Sequence, residues 1–544
     1  MEENRIVAIV TETGETYRGG MFIDATYEGD LLDEAGVTFI VGRESNDTYG
    51  ETLNGIQTGN TINHVFTVDG RRHPPRPLPE EARVDPYVVA GDPSSGLIAG
   101  VNPDAGGADG EADHRVQSYC YRLCLTDDPE NRVPFEQPDN YNEQDYELLF
   151  RAFEAGEERI PWLPARMPNR KTDTNNRWAV SMNLVGGSDE YPLAGYERRR
   201  EIEKKHEHWQ RGLMWTLANH ERVPEPIRRE VGQWGYAQDE FADNDNWPYM
   251  IYIRVGRRMV SDYVMTEHDC RLERVAEDSV GMGSYTMDSH NVQRYVTPEG
   301  YVQNEGNIEV PPAGPYSISY RSIVPRRGEA ENLLVPWAVS ASHIAFGSIR
   351  MEPVFMVLGQ SAATAAAMAI EDGVSVQDVD YDSLRSRLEA DGQILYSGNE
   401  PFDTDSLSGH LLLARDAGLV GEWTLSRTVG PYVGSGYYHD GNTAKGEGSA
   451  EFVFSVPRSG RYEVQLSYTP HHNRAVNVPV TIRHADGESV HTVDQTRSPD
   501  IKEAFVSLGT FPFSEEEPAR VLIENRGTSG YVVIDAVRMV PVDE

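Results

Sequence analysis

Asp288 and His290 stand two residues apart in GMGSYTMDSH (281–290), beside Ser284, Tyr285 and Ser289. A carboxyl and an imidazole this close are candidates for acid–base roles, with a loop held together by its own polar groups as the alternative. The glycines flanking Met282 read as a flexible turn before them. In YIRVGRRMVSDYV, Arg254, Arg257 and Arg258 either hold an anionic substrate group or brace a site through Asp262 and Glu267. His343, in LLVPWAVSASHIAFGSIRMEP, carries the side chain that titrates unperturbed near neutrality. It reads either as a proton carrier or as a satisfied structural histidine.

These groups need elements to hold them. RIVAIVTET and ETYRGGMFIDAT read as strands broken at Gly14, the second ending at Asp24, Ala25 and Thr26. EGDLLDEAG reads as a short helix stopped by Gly36, and VTFIVGRE as a further strand. From about 45 to 111 the chain is polar, with HPPRPLPEE and NPDAGGADGEAD as loop material. Residues 196–217 read as a helix whose alternating charges face solvent. After His343 the chain enters a helix beginning near Glu352–Pro353, since proline is tolerated in a first helical turn. Gly359, Ala362, Ala363 and Ala366 lie at helical spacing along it, so a strand or a cofactor can approach closely, or the helix is a well-packed core element. DYDSLRSRLEADGQIL reads as a terminal helix, and from about residue 422 short strands rich in Val, Tyr and Thr alternate with Gly, Pro and Asn. This last part predicts an all-β sandwich.

Across 544 residues the net charge is -38, and lysine occurs only at 171, 204, 205, 445 and 502. Such a surface opposes phosphate backbones, so nucleic acid is not expected as a partner. Three cysteines, Cys120, Cys124 and Cys270, are too few for a disulfide framework and lack zinc-ligand spacing, so they read as free thiols and no metal is expected. No run of about 18 apolar residues predicts a membrane span. MEENRIVAIV is acidic and strand-like, unlike a signal peptide.

FIDATYEGDLLDEAGV with VGRE, YCYRLCLTDDPENRVP, RRMVSDYVMTEHD, DSVGMGSYTMDSH and ENLLVPWAVSASHIAFGSIRMEPVFMVLGQSAATAAA occur in this order. Together they resemble FAD-dependent oxidoreductases of the glutathione-reductase-like flavoprotein superfamily, over residues 1 to about 396. The resemblance implies an α/β fold: an incomplete FAD-binding Rossmann-like domain (1–44 and 314–396) with an inserted α+β substrate domain (45–313). It implies FAD as cofactor. Asp24, Ala25 and Thr26 match the strand end near the adenosine and ribityl side, where the wider superfamily commonly has glycine at the position of Thr26. Ser340, His343, Gly347, Arg350, Met351 and Glu352 match the turn along the flavin ring, with Gly359 and Gln360 in the helix after it. His343 is then a candidate beside the ring, Ser284, Tyr285, Asp288 and His290 face its substrate side, and His343 and Cys270 are the residues to examine for covalent attachment. The family's glycine-rich GxGxxG turn lies upstream of RIVAIV, and Met1 directly precedes that strand, so the phosphate-facing half of the cofactor site is expected to be missing from this chain.

EWTLSRTVGPYVGSGYYHDGN, GRYEVQLSYTPHHNRAVNVPVTIRHADG and GYVVIDAVRMVP resemble golvesin-type domains, also found at the C-termini of xanthan-lyase-related secreted proteins. The resemblance implies a β-sandwich at 422–544 after a linker at 397–421, a polysaccharide partner and a secreted or periplasmic location. Tyr432, Tyr437 and Tyr438, with Asn473 and Arg474, are candidate sugar contacts if exposed, since aromatic faces stack on sugars and Asn and Arg donate hydrogen bonds; a structural role for these tyrosines in the sandwich core is the alternative. Two readings follow. One is an oxidoreductase moving a hydride from a saccharide or other small polar substrate to flavin; the other is a non-catalytic surface-binding protein that retains a flavoprotein body.

Overall fold

The apolar runs near the N-terminus form shorter strands than their composition predicts. Ala8–Val10 pairs antiparallel with Thr16–Arg18 as a hairpin, while Phe22–Ile23 pairs in parallel with Leu333–Leu334. Phe39–Ile40 is all that forms of the strand expected in VTFIVGRE, and it pairs with Arg258–Met259. The structure, a computed structural model, describes every residue except 60–65, 67–79, 81–82, 104–105, 398–400, 403–406, 428, 435 and 543–544, and the side chains of 401 and 402. Nearly all of HPPRPLPEE, part of NPDAGGADGEAD and much of the 397–421 linker therefore lie outside the described residues.

Contacts divide the chain into two units. The first comprises Met1–Glu267, Tyr285–Pro312 and Ile318–Gln393; the second comprises His268–Ser284, Ala313–Ser317 and Ile394–Glu544.

In the first unit, Phe22, Leu32, Val37, Met259, Leu333 and Val335 share one apolar core. Asn332 ties it to the N-terminus, because its side-chain amide exchanges hydrogen bonds of 2.8 and 2.9 Å with the backbone of Ile6. Among the described residues the strands of this unit pair in twos and threes, so no extended Rossmann-like parallel sheet is present. The helices match the sequence more closely. Asp30–Glu34 stops before Gly36, whose φ of 69° is the left-handed conformation glycine adopts freely.

Tyr196–Asn219 forms one long helix. Arg199, Ile202, His206, Trp209 and Leu213 are buried at alternating three- and four-residue spacing, while Arg198, Arg200, Lys204 and Lys205 face solvent. Glu352–Asp372 buries Phe355, Leu358, Ala362, Ala365 and Ala369 and leaves Met356, Gln360, Ala363 and Ile370 exposed. It is long and apolar enough to cross a bilayer, but half of it is buried, and core helices commonly have the same length and composition.

The second unit contains the β-rich C-terminal part. His410–Leu413, Ala536–Pro541, Gly460–Ser467 and Phe505–Phe513 lie side by side in one antiparallel sheet. Gly418–Val420, Ser449–Phe454, Ala519–Glu524, Val478–His484 and Gly487–Val493 form a second. Alternate residues such as Phe452, Phe454, Val464, Leu466, Val521 and Ile523 point into one shared core, as period-two strands require. Also in this unit, Ser279–Gly283 is a strand rather than the expected flexible turn. Its glycine serves close packing: a Cβ on Gly283 would lie 2.5 Å from the Tyr316 hydroxyl.

Candidate functional site

The helix His343–Ile349 begins at Ser342, whose Oγ accepts from Ala345 N at 3.3 Å and donates to Glu51 at 2.6 Å. The backbone N–H of His343 donates to Glu44 at 3.0 Å, and its Nε2 lies 3.2 Å from Ser289 Oγ. Nδ1 is buried and has no hydrogen-bond partner. Burial, then the guanidiniums of Arg258, Arg43 and Arg350, hold this imidazole well below its usual titration range. His343 is therefore neutral at physiological pH, and the expectation that it titrates near neutrality is corrected: Glu44 meets the backbone N–H of this residue, and three cations and the loss of water decide the imidazole's charge.

The helix then runs against the strand Met287–Ser289. A Cβ on Gly347 would meet the Asp288 carbonyl oxygen at 2.5 Å, so only glycine permits this approach. At the helix end Arg350 Nη2 donates to Asp288 Oδ2 at 2.8 Å, and His290 Nε2 lies 3.3 Å from the same oxygen. Burial would raise the Asp288 carboxyl, but His290, Arg350 and Arg254 outweigh it and keep it ionised. His290 is pushed down to about 3 by burial and the nearby Arg254, against the opposing pull of Asp288. A neutral His290 thus donates to a carboxylate balanced by Arg350. The backbone N–H of His290 donates to Gln117 Oε1 at 3.2 Å, and its ring Nδ1 lies 3.5 Å from Asn183 Nδ2. Gln117 Nε2, Asn183 Oδ1 and Arg350 Nε are further buried polar atoms without partners. Unsatisfied groups concentrated around two histidines mark a place for water or a ligand.

The three arginines of 252–264 have structural partners. Arg258, fully buried, donates to Glu44, Ala341 O and Gly42 O at 2.7, 2.8 and 2.6 Å. Arg257 pairs with Asp30 at 2.6 Å, sharing it with Arg199. Arg254 is held by Ser118 O, Cys120 Sγ, Asn175 Oδ1 and Asn176 Oδ1. None of them uses Asp262 or Glu267, and Glu267 instead accepts from Thr52 N and Oγ1. The carboxylates of Arg257 and Arg258 lie more than 200 positions away, beyond the reach of any local pattern. Arg254 alone has no ionic partner.

Asp24 closes its strand buried, accepting from Thr26 N, Thr26 Oγ1 and Leu31 N, while Ala25 and Thr26 are exposed. Ser340 is buried and accepts from Ser261 N at 3.0 Å. Met351 precedes the helix Glu352–Asp372 without a side-chain cap, and Glu352 accepts from the Tyr27 hydroxyl at 3.2 Å. No atom lies within 4 Å of a Cβ built on Gly359, and Gln360 is exposed. Tyr285 is 43% exposed and receives Ser348 Oγ at its carbonyl. Ser284 is exposed and belongs to the second unit. Cys120 and Cys270 are buried, Cys124 is half-buried, and all three are free thiols.

In the β-rich part, the expected exposed tyrosines are corrected. Tyr432 and Tyr437 are 0% and 2% exposed and belong to the core. Tyr438 is half-buried. Arg474 is buried too, donating to the Tyr437 hydroxyl at 3.2 Å, and Asn473 is the exposed member of the set. Strand alternation turns these side chains inward. Tyr531, half-buried with its ring 5.5 Å from His439, joins the same edge and was not foreseen. Its N–H donates to Asn473 O across 58 positions, a separation no local pattern reveals.

The family model described as Golvesin C-terminal domain matches residues 414–541. A xanthan lyase of Bacillus sp. (strain GL1) is 36% identical over 126 residues, covering 23% of this chain and 13% of that protein. The solved Paenibacillus xanthan lyase is 37% identical over 24% of this chain and 13% of its own, with a TM-score of 0.23. A GH26-CBM35 β-(1,4)-mannanase of Podospora anserina is 18% identical over 25% of this chain and 29% of its own, with a TM-score of 0.21. This chain thus spans about an eighth of the xanthan lyases it matches, and within it the likeness reaches only about a quarter of the length. The model described as FAD dependent oxidoreductase, in contrast, matches residues 1–388, and the chain belongs to that FAD-dependent family.

Proposed function

We propose that residues 1–396 form the body of an oxidoreductase that removes a hydride from a hydroxylated, saccharide-related substrate, with the β-rich C-terminal part as a polysaccharide- or surface-binding module. The observation that carries this reading is the family match over residues 1–388.

The residues present fit the ring-facing side of FAD. The helix Glu352–Asp372 starts without a side-chain cap; Pro353 has no N–H and Val354 N donates to Met351 O, so what this end offers negative charge is its positive dipole end and the Glu352 N–H. His343 Nδ1 and Arg350 Nε are buried polar atoms that lack partners. Asp24, Ala25 and Thr26 at the strand end, with Ser340 to Glu352, are the residues that would hold it. Bound FAD would supply a two-electron acceptor.

The chain's own groups would do the rest. His343, held neutral by Arg258, Arg43 and Arg350, offers Nδ1 as acceptor for a substrate hydroxyl and fixes its direction. Its weak basicity suits it to orient the hydroxyl rather than to store the proton. The Asp288 carboxylate, 2.8 Å from Arg350, keeps that guanidinium in place, and neutral His290 donates to the same carboxylate. The test is to purify the full chain, incubate it with FAD, and record the visible flavin band before and after anaerobic addition of sugars. A retained band that bleaches with a sugar is expected; a protein that stays colourless overturns the reading.

A further inference from the structure

A cavity of about 580 Å3 lies in the first unit, apart from the residues discussed so far. That volume is within the range of small-ligand pockets, roughly 300–1,000 Å3. The helix Tyr196–Asn219 supplies one wall, the segment around Val180–Gly187 another, and the strand Gln293–Val296 the Arg294 side chain.

Arg294 is 3% exposed, yet no carboxylate lies within ion-pairing distance of it among the described residues. Its Nε donates to Asn304 Oδ1 at 3.1 Å and its Nη2 to Ala179 O at 3.3 Å, both neutral acceptors. Its Nη1, beside Gly100 at the cavity wall, has no hydrogen-bond partner among the described residues. Burial alone pushes the guanidinium down to about 10, which leaves it protonated at neutral pH. A buried, unpaired cation is costly, and an anion entering the cavity would relieve that cost.

The mouth repeats the sign. Lys204 and Lys205, two of only five lysines in a chain of net charge -38, are exposed at its rim. Of the acids there, Glu201 is already paired with Arg198 at 2.8 Å, leaving Asp145. On such an acidic surface a cation-lined cavity concentrates anions. The walls specify more than charge. Tyr146 stacks on Trp209 with ring centroids 5.0 Å apart and on Tyr141 at 5.3 Å, while Asn102, Asn140 and Asn142 offer amides. Aromatic faces take the C–H face of a ring, and amides both donate and accept to hydroxyls.

We infer that this cavity binds a sugar acid: a six-membered hydroxylated ring whose single carboxylate meets Arg294, whose ring lies on the aromatic wall and whose hydroxyls meet the asparagines. The cavity is assigned a ligand and not a reaction, so the inference stands independently of the flavin chemistry proposed above.

Isothermal titration calorimetry on the full chain tests it, with D-glucuronate, D-glucose, benzoate and inorganic phosphate as probes. Glucuronate is expected to bind at least tenfold more tightly than the other three. Arg294→Gln is expected to lose at least tenfold of that affinity, with unfolding by circular dichroism checked alongside. Because a buried arginine can also support the fold, Lys204→Gln combined with Lys205→Gln, both exposed, is the second variant. It is expected to weaken glucuronate binding a few-fold and to flatten its salt dependence. Equal binding of glucose overturns the role of the carboxylate, and tighter binding of phosphate or benzoate overturns the sugar ring. Unchanged affinity in both variants overturns the site itself.

Discussion

Arg350 and Asp288 form a buried ion pair, Nη2 to Oδ2 at 2.8 Å, that locks the end of the helix His343–Ile349 to the strand Met287–Ser289. It joins two segments 62 positions apart, one bearing His343 and the other His290. The pair thereby fixes the distance between the two imidazoles on which the proposed chemistry depends. Both histidines are neutral, so the net charge of this cluster rests on Asp288, Arg350 and the ionically unpaired Arg254.

Removing one partner should therefore cost more than removing both. Arg350→Met leaves the Asp288 carboxylate buried without its guanidinium, which typically destabilises by about 3–5 kcal/mol. Combining it with Asp288→Leu should recover much of that loss. Urea unfolding of the single and double variants measures the difference, and equal losses would show that the pair is not coupled.

His343→Gln keeps a polar side chain at the helix start but removes Nδ1 as an acceptor. If that atom directs a substrate hydroxyl, kcat should fall by about 100-fold, the scale of a lost orienting contact, with flavin content unchanged. Loss of flavin together with activity would instead assign His343 to holding the cofactor.

Four helices were legible in the sequence because their signals are local, whereas His343–Ile349 corrects an expected turn, and Glu147–Glu154 and Glu225–Val231 were not expected. Asp30–Glu34, Tyr196–Asn219, Glu352–Asp372 and Tyr381–Ala390 lie close to where spacing, proline and glycine place them. The C-terminal strands from Ser449 onward were legible for the same reason, Gly487–Val493 excepted: GESVHTV exposes most of its residues and carries little apolar alternation. His410–Leu413 and Gly418–Val420 correct the expected linker at 397–421, since each pairs at the edge of a sheet with a partner far along the chain. Contacts of the candidate site were not legible. Arg257 with Asp30, Arg258 with Glu44 and Arg350 with Asp288 are set by tertiary packing, and a sequence window shows only isolated charges. Tyr432 and Tyr437 were misplaced because a tyrosine on a strand suits either face until the register is known.

Gly347→Ala tests the packing on which this cluster rests. A Cβ there would sit 2.5 Å from the Asp288 carbonyl oxygen, a backbone atom that cannot move alone. Overpacking of this kind costs about 1–3 kcal/mol, and separating helix from strand should also lengthen the Arg350–Asp288 contact. A fall in urea midpoint should accompany weaker flavin retention, whereas Gly359→Ala, inside a helix where a Cβ meets nothing within 4 Å, should raise stability by about 0.5–1 kcal/mol.

Two buried groups should give the chain opposite pH dependences. Asp535 lies buried in the C-terminal part, where burial pushes its carboxyl up to about 7 despite donors at Ser467 Oγ (2.7 Å) and Val433 N (2.9 Å). The folded form then keeps a proton that the unfolded chain releases near 3.8, so this group's stabilisation is complete below 3.8 and is lost as pH rises through about 7. His206, between Ser188 Oγ at 3.1 Å and Ile202 O at 2.8 Å, is pushed down to about 4 by burial. Its stabilisation is complete above the unfolded value of 6.5 and is lost as pH falls through about 4. Each group changes the unfolding free energy by up to about 1.4 kcal/mol per pH unit within its window. Urea unfolding of the full chain from about pH 4 to 8 should show that Asp535→Asn, relative to the parent, gains stability steadily as pH rises to about 7. His206→Gln should do the reverse, gaining on the parent as pH falls below about 6.5. A pH-independent offset in either variant would mean that the side chain does not titrate across its window, and the burial argument for that group would fail.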